Sequence, residues 1–423
     1  MEAIVEYSQE SSSYQLYFYG LVLSLLFFLS EETTISFPPE VNLLLKLVSA
    51  TMLALHLLFI LPLFTQFEKL LLLASMIISV VVGHNSDHLT LMFVTCALVF
   101  GAKELSAKTL LRVYFKASAV FCIAIVMLAL AGVIENKVLL AVSRENIFGD
   151  VVDTRSCLGY EWPTDFATHV FFIMMTYWIL NNGQLSFLKV AVYLGIFYFM
   201  LQVTDSRLGC GCIFLLLICS FILYIIKKIN NRSKNPKIVS RFSFITILWI
   251  PFLAFLSLYA TLSYDSSDVL WVATDMILSY RLRIGQEAIL NDGVPLWGQY
   301  YKLYGGESDS NLYNFIDSSY LQLLVIYGLV YTIIIIGAFV YLSYKSYRRH
   351  NYVLLLALFI AGISGAIAQH FIQFFMNPLL LLLFADDDLE NEETIVDYNK
   401  DEAQEYATNP PRYAAGNYAS GIA

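Results

Sequence analysis

The chain has 423 residues, of which 58% are hydrophobic and only 14% are charged, with a mean hydropathy of +0.66. Ordinary soluble domains are roughly 45–50% apolar and about 25% charged, so this composition excludes a soluble globular protein. The net charge of -9 is uneven, because residues 386-423 hold ten acids and two bases, a net of -8. The chain contains no basic run or stripe, and we therefore expect no nucleic-acid partner.

The first apolar segment follows MEAIVEYSQESSS, which contains three Glu and no Lys or Arg. A cleaved signal peptide begins with a basic region, so we expect this segment to remain as a membrane span. The six cysteines lie almost entirely in apolar segments, where a free thiol behaves as a small hydrophobe. They predict neither a disulfide framework nor a metal site.

Apolar runs near the length of ~20 residues that crosses a bilayer recur along most of the chain. They predict an all-α polytopic membrane protein with about 12 transmembrane helices. Alternatively, the last 33 apolar residues form one span and a re-entrant piece packed within protein. The predicted spans are 14-30, 41-64, 69-84, 88-102, 113-133, 164-181, 187-203, 208-226, 242-262, 318-343, 352-370 and 371-385.

The Lys and Arg residues of the short loops predict the orientation, because cytoplasmic loops carry an excess of them. Basic clusters fall in three loops, and an even number of predicted spans separates each from the next, so all three lie on the cytoplasmic side. We therefore expect both termini inside and two long outer loops, 134-163 and 263-317. The inner side then carries 15 bases and 5 acids, and the outer side 8 bases and 19 acids. The membrane domain is 1-385, and the acidic tail 386-423 is expected to be disordered in the cytoplasm.

Five arginines stand out on the net-acidic outer side, where bases are unusual. A guanidinium binds phosphate oxygens through two parallel hydrogen bonds, which indicates a phosphate-bearing ligand. The alternative for each arginine is a salt bridge with one of the nearby acids. Arg207 enters a span directly after a short turn, where we expect it to face a polar cavity or, alternatively, to reach the membrane surface. The five are Arg144, Arg155, Arg207, Arg281 and Arg283.

The stretch SYRLRIGQEAIL, residues 279–290, predicts an amphipathic outer helix. Arg283 has Glu287 four residues later, which is a ready salt-bridge partner. Arg281 has Ile284 and Gly285 three and four residues later. We therefore expect Arg281 to be the freer of the two arginines to bind a ligand.

Residues 297–320 combine Gly305 and Gly306 with many aromatic side chains, which suit sugar rings or, alternatively, belong to the aromatic belt of a membrane interface. Asp317 opens the next span, either as its N-cap or as a carboxylate that accepts a hydroxyl proton. His370 lies in an apolar segment, either as a satisfied core residue or as a catalytic group. The aromatic residues are Trp297, Tyr300, Tyr301, Tyr304, Tyr313, Phe315 and Tyr320.

In this order, the features resemble the Wzy-type polysaccharide polymerases, which are relatives of the O-antigen ligases. The resemblance covers roughly residues 140–380 and rests on the segments TRSCLGYEWPTDFA, TDSR, SYRLRIGQEAILNDGVPLWG and IDSSYLQLLVIYG. Arg155, Arg207 and Arg281 match arginines of that family. Asp317 matches the position where its members have His or Asp.

The resemblance implies a GT-C-like bundle and a metal-independent glycosyltransferase without a cofactor. The enzyme would polymerise undecaprenyl-diphosphate-linked oligosaccharide repeats into O-antigen, capsule or exopolysaccharide on the outer face of the bacterial cytoplasmic membrane. A flippase and a chain-length regulator of the same pathway would be its partners. With this function, the expected catalytic residues are Arg281, Arg207, Asp317 and His370, and the expected substrate-binding residues are Arg155, Arg283, Trp297, Tyr300, Tyr304 and Tyr320.

Two other functions stay open. An O-antigen ligase transfers finished glycan to a different acceptor, and the motifs barely separate it from a polymerase. A lipid-oligosaccharide flippase also commonly has twelve spans, but it would carry charges near the bilayer midplane and pseudo-symmetric broken helices. The charges of this chain are concentrated in its outer loops instead.

Overall fold

The structure is a computed structural model, and it describes residues 2–145, 151–230, 245–303, 315–386 and 389. Helices dominate this part of the chain, as the composition predicts. They are α1 (Glu2–Glu31), α2 (Pro39–Ile60), α3 (Gln66–Ser86), α4 (Leu89–Gly101), α5 (Ala107–Leu130), α6 (Pro163–Leu180), α7 (Phe187–Thr204), α8 (Arg207–Asn230), α9 (Trp249–Leu262), α10 (Val269–Ile277), α11 (Arg281–Asp292), α12 (Ser319–Gln322), α13 (Gly328–Arg348) and α14 (Tyr352–Ile367).

Among the described residues, seven helical segments are long and apolar enough to cross a membrane. They confirm the prediction of a multi-pass helical membrane protein. Three shorter apolar helices, α4, α9 and α14, accompany them, and the total of twelve spans stays a prediction. The seven segments are Ser13–Glu31, Pro39–Leu63, Gln66–Ser86, Ala107–Leu130, Phe187–Thr204, Arg207–Ile225 and Ser319–Arg348.

The predicted outer loop 134-163 contains a two-stranded antiparallel sheet, a feature absent from the sequence-based expectation. Strand β1 (Val138–Glu145) pairs with β2 (Val151–Ser156), and Leu139 lies opposite Arg155. The branched residues of VLLAV and VV have the β propensity that marks such a hairpin. Beyond β2, the carbonyl of Gly159 accepts a hydrogen bond from the backbone N–H of Thr34 at 2.9 Å. The hairpin is thereby tied to the end of α1.

The span that starts at Ser319 is broken at Gly328. A π-helical turn, Leu323–Tyr327, precedes this glycine, whose φ is +85°. A Cβ at Gly328 would lie 2.5 Å from the backbone nitrogen of Gly298, so only glycine fits. The break leaves backbone groups without partners inside the helix, and residues 295–299 hydrogen-bond them. These residues donate to the carbonyls of Val325 and Ile326 and accept from the N–H groups of Leu329 and Val330, at 2.9–3.2 Å.

The predicted twelfth span is not an α-helix. Residues 368–386, which we name the crossing segment, contain only two short 3₁₀ turns, Gln369–Phe371 and Pro378–Leu382. The carbonyl of Ala368 accepts a hydrogen bond from the backbone N–H of Ser319 at 3.2 Å, and the carbonyl of Ala385 accepts one from Lys345 Nζ at 2.6 Å. The crossing segment therefore runs the length of the neighbouring span. We name the two ends of the bundle the loop end, near Ser319, and the basic end, near Lys345.

Irregular backbone is tolerated at membrane depth only where protein surrounds it, and the crossing segment is buried along most of its length. Side chains satisfy its backbone. Tyr114 donates to the carbonyls of Phe375 and Met376, and Asn377 donates to the carbonyl of Phe371 at 2.7 Å. The segment is packed within protein, as the alternative predicts, but it runs from one end of the neighbouring span to the other instead of returning to the side where it begins.

At the basic end, the chain stays in contact with the bundle at Asp386 and Leu389. Asp386 exchanges backbone hydrogen bonds of 2.8 Å with Leu105 and Ala107, and Leu389 is 7% exposed. The remaining tail residues, 387–388 and 390–423, lie outside the described part of the chain. All six cysteines are buried and unpaired, as their apolar surroundings predict.

Candidate functional site

A pair of short helices in the predicted outer loop 263-317 positions Arg281. Helix α11 begins at Arg281, directly after Ser279 and Tyr280, which have φ values of 61° and 65°. Asp275 of α10 is buried and accepts a hydrogen bond of 2.8 Å from the backbone N–H of Leu282. This carboxylate caps the start of α11 and complements its dipole. The predicted amphipathic helix is thus present, and its first residue is held in place.

Helix α11 lies close against the start of the broken span. A Cβ at Gly285 would lie 2.7 Å from Leu321 Cδ1, so the absence of a side chain permits this approach. Arg281, one turn before Gly285, then reaches the residues that precede α12. Its Nε lies 3.0 Å from Asp317 Oδ2, and both side chains keep about a fifth of their surface exposed.

This ion pair bears on two sequence-based expectations. Arg281, expected to be the freer of the two arginines, has an acidic partner, which comes from a distant part of the chain rather than from its own helix. Asp317 is not the N-cap, because Ser318 precedes the first helical residue, Ser319. Two of the predicted catalytic residues therefore lie in contact.

Polar contacts to the crossing segment fix the chain around Asp317. Ser319 Oγ donates to the carbonyl of Ala368 and accepts from the backbone N–H of Phe371 at 3.1 Å. Gln322 Nε2 donates to the carbonyl of Ile316 at 2.7 Å. Burial raises the pKa of Asp317 above its ordinary value, although the positive charge of Arg281 opposes this shift.

His370 lies beside this pair in a second, buried ion pair. Its Nε2 is 2.9 Å from Asp165 Oδ1, and its Nδ1 is 2.6 Å from Gln373 Oε1. Both neighbours present an oxygen atom to the ring, an arrangement that suits an imidazolium. Both ring nitrogens of His370 are engaged, as the alternative of a satisfied core residue predicts, and its catalytic role stays a prediction.

Acidic residues extend the buried pair towards the end of α1. The second oxygen of Asp165, Oδ2, has no hydrogen-bond partner among the described residues. Burial, together with the negative charge of Asp165, raises the pKa of Glu32 to about 8, although His370 opposes the shift. Within the described part of the chain, no three His, Cys, Asp or Glu side chains are grouped to hold a metal ion.

Arg155 and Arg207 both lie at the turn between α7 and α8. Arg155 Nε donates to the carbonyl of Thr204 at 2.7 Å. Arg207 is exposed at the first residue of α8, which agrees with a side chain that reaches the surface rather than an enclosed cavity. Between them, Asp205 is 3% exposed, has a φ of 43°, and both of its carboxylate oxygens have no hydrogen-bond partner within the described ranges.

The other predicted binding residues are dispersed. Arg283 is exposed, with its Nε 3.9 Å from Glu287 Oε1, as the i,i+4 spacing predicts. Trp297 and Tyr300 are exposed on the segment that satisfies the broken span, whereas Tyr320 is buried and donates to the carbonyl of Gly362 at 3.0 Å. Tyr320 is therefore an interior packing residue. Tyr304, and also Tyr313, lie outside the described residues, as does the Arg144 side chain.

Sequence-based reasoning did not select four polar residues of this region, namely Glu32, Asp165, Asp205 and Gln373. Each is a polar residue next to or within a strongly apolar run, and that placement is the signal that marks them, because a buried charge requires a partner. Comparisons of the chain with protein-family models, with curated proteins and with solved structures found no match.

Proposed function

We propose that the chain is a membrane glycosyltransferase that polymerises lipid-diphosphate-linked oligosaccharide repeats on the outer face of the bacterial cytoplasmic membrane. The observation that carries this proposal is the partly exposed pair of Arg281 and Asp317 at the loop end of the bundle. An arginine and a carboxylate in contact supply the two functions that this transfer needs, which are binding of a diphosphate and removal of a hydroxyl proton.

The donor in this reaction is the growing glycan on its lipid diphosphate. A hydroxyl of the acceptor repeat attacks the anomeric carbon, and the bond between that carbon and the diphosphate oxygen breaks. The departing diphosphate keeps the electron pair of that bond, so negative charge develops on its oxygens. Arg281, with Arg207 and Arg155, would stabilise this charge through charge-assisted hydrogen bonds.

Asp317 would accept the proton of the attacking hydroxyl. In the described state Arg281 neutralises this carboxylate, and the lipid diphosphate would replace Asp317 as the partner of Arg281. A freed carboxylate in a partly buried position is a stronger base than one in water, because burial disfavours its charge. The buried pair of Asp165 and His370 supports the proposal by holding the chain next to Asp317. Neither a cofactor nor a nucleotide sugar is needed.

Arg281→Ala tests the proposal in cells that make the polymer. Removing one stabilising donor typically lowers turnover about 10²–10³-fold, so we expect single repeats at the surface and no long polymer. Arg348→Ala is the matched control, because Arg348 is exposed at the far end of α13. Glycan profiling by gel electrophoresis measures the chain length, and an unchanged length distribution in Arg281→Ala would reject the assignment.

The broken span at Gly328 is the feature that favours the flippase alternative, since transporters bind substrates at discontinuous helices. In this chain, however, residues 295–299 already hydrogen-bond the carbonyls of Val325 and Ile326 and the N–H groups of Leu329 and Val330. These groups are engaged within the protein, which weighs against a substrate site there. Deletion of the gene separates the three functions. Loss of a polymerase leaves single repeats, loss of a ligase leaves polymer on its lipid carrier, and loss of a flippase leaves repeats inside the cell.

A further inference from the structure

The basic end of the bundle holds the beginning of the acidic tail against α5. Asp386 donates its backbone N–H to the carbonyl of Leu105 and accepts from the N–H of Ala107, both at 2.8 Å. Leu389 is 7% exposed and lines a small cavity with Ala107 and Leu342. Because Ala107 is the first residue of α5, the tail leaves the crossing segment directly beside the start of this helix.

The first turns of α5 carry three positive charges, which we name the basic stripe. Lys108, Arg112 and Lys116 recur at every fourth residue, so they follow one side of the helix. Arg112 and Lys116 are exposed, and neither forms a salt bridge within the described ranges. The stripe belongs to the segment Ala107–Leu130, which is long and apolar enough to cross a membrane. Charge in such a segment is costly unless it is paired or extends to water, so an anionic partner would stabilise it.

The tail supplies opposite charge at this place. Six of the eight residues 386–393 are acidic and none is basic. The acids that follow Leu389 are Glu390, Glu392 and Glu393. Four residues of extended chain, from Leu389 to Glu393, reach up to about 14 Å.

That reach covers the basic stripe. Arg112 follows Ala107 by five residues, which is about 7.5 Å along a helix, and Lys116 follows it by nine, which is about 13.5 Å. Asp386 and Leu389 are already in contact with the bundle beside Ala107. The acids can therefore meet the stripe without any change in the described part of the chain.

The covalent connection favours the tail over other anions. Residues joined by a short flexible linker have an effective concentration on the order of millimolar. Moreover, the contacts of Asp386 and Leu389 keep the acidic run beside α5 in any case. Pairing the acids with the stripe neutralises both sets of charge, whereas a headgroup of an anionic phospholipid would leave the acids unpaired and would be repelled by them.

We propose that the acidic segment 390–393, which lies outside the described residues, binds to the basic stripe of α5 in the same molecule. The contact neutralises charge at the start of a membrane-spanning helix. It also holds the basic end of the crossing segment against the bundle, next to the contact of Lys345 with Ala385. The proposal does not depend on glycosyl transfer, because the pair of Arg281 and Asp317 lies at the opposite end.

Zero-length cross-linking of the full-length protein in detergent tests the contact. A carbodiimide joins a carboxylate to an amine that touches it, and mass spectrometry maps the products. We expect Lys108 and Lys116 to be joined to the tail acids, with a yield about tenfold lower at about 1 M salt, which screens exposed charges. Lys46 at the loop end is the control and should react with its own partner Glu31 instead. Equal yields of tail products at Lys46 and at the stripe would overturn the proposal.

A spin label in the tail measures the same contact in solution. All six native cysteines are buried, so Thr394→Cys provides a single accessible thiol for a nitroxide. The label should be immobilised at about 0.1 M salt and mobile at about 1 M. A label that is mobile at both salt concentrations would contradict the contact.

Charge-removing variants provide matched comparisons for the label. Lys108→Gln with Arg112→Gln should lower the ratio of immobilised to mobile label roughly three- to tenfold, because two exposed ion pairs are lost. Arg283→Gln, at an exposed position of the loop end, should leave the ratio unchanged. Unchanged ratios in the folded stripe variant would contradict the proposal.

A tail variant decides if the stripe variant does not fold. Exchanging Glu390, Glu392 and Glu393 for Gln leaves every described residue in place, and it should release the label as the stripe variant does. An immobilised label in this variant would overturn the proposal.

Two further measurements check the occupant of the stripe. The label should stay immobilised both in vesicles of phosphatidylcholine and in vesicles that also contain phosphatidylglycerol. Release by phosphatidylglycerol would show that phospholipid headgroups displace the tail, which would overturn the proposal. Carbodiimide products with the mass of a dimer, in place of products within one chain, would assign the contact to the tail of a second copy and would also overturn it.

Discussion

The two ion pairs at the loop end of the bundle differ in their contact with solvent. The side chains of Asp165 and His370 are 3% and 2% exposed, whereas those of Arg281 and Asp317 are 22% and 21% exposed. A fully buried charge cannot exchange its partner without a large desolvation cost, but a pair at the protein edge can exchange its partner for a ligand. The first pair is enclosed by protein, whereas the second is open to a ligand.

The buried pair also joins distant segments at the loop end of the bundle. His370 lies near the start of the crossing segment, and Asp165 lies in the first turn of α6. Their contact joins two parts of the chain that are far apart in sequence, next to the contact of Ser319 with Ala368. Asp317 lies two residues before Ser319, so the partly exposed pair and the buried pair are neighbours at the same contact between chain segments.

Asp165→Ala should have the largest effect on stability. Removing one partner of a buried ion pair leaves the other charge unpaired, which typically costs about 3–5 kcal/mol. Thermal unfolding of the purified protein in detergent measures the loss, with Asp292→Ala as the control, because Asp292 is exposed at the end of α11. A loss below about 1 kcal/mol would show that the buried pair is not structural.

Glu32→Gln should change how stability depends on pH. The folded protein holds the pKa of Glu32 near 8, above its value of about 4.3 in an unfolded chain. The folded state therefore binds the proton more tightly, and its advantage is complete at low pH and is lost as pH rises through 8. Because Glu32 is only partly shielded from solvent, we expect about 1–2 kcal/mol.

Unfolding measured between pH 6 and pH 9, a window set by that pKa, checks this prediction. The wild-type protein should lose stability across the window, and Glu32→Gln should lose less. Glu40→Gln, at an exposed position in the first turn of α2, is the control and should follow the wild type. Parallel curves for Glu32→Gln and the wild type would contradict the shifted pKa.

Arg281→Ala and Asp317→Asn should each change stability by only about 0–1 kcal/mol, because partly exposed ion pairs contribute little. Both should abolish long polymer. The double variant Arg281→Asp with Asp317→Arg restores an ion pair with its charges exchanged, and we expect it to be as stable as the wild type but inactive. Polymer formation by the exchanged pair would show that the contact, rather than the chemistry of each side chain, is what matters.

Arg283→Ala should have the smallest effect on stability, below about 0.5 kcal/mol. Its partner Glu287 is 3.9 Å away, and both side chains are more than half exposed. Unfolding in detergent measures this change alongside Arg281→Ala. If Arg283→Ala lowered the free energy of unfolding more than Asp165→Ala does, the stability that an ion pair contributes would not follow its burial.

Some of the site could be predicted from local sequence and some could not. Arg283 and Glu287 pair because a helix brings residues four apart onto one face, so their contact followed from spacing. Arg281 and Asp317 come together only because Gly285 lets α11 approach Leu321. Asp165 and His370 are separated by many helices, and no local pattern indicates such a contact.

By itself, the sequence determined that this is a helical membrane protein, because long apolar runs lack polar groups and must be surrounded by lipid or by other helices. It also determined the amphipathic helix α11 through the period of its apolar residues. Only the tertiary structure decided that the last apolar run is an irregular segment in the interior. Its backbone groups form hydrogen bonds with the side chains of Ser319, Tyr114 and Lys345. Because these partners are distant along the chain, the hydropathy of the segment itself does not indicate them.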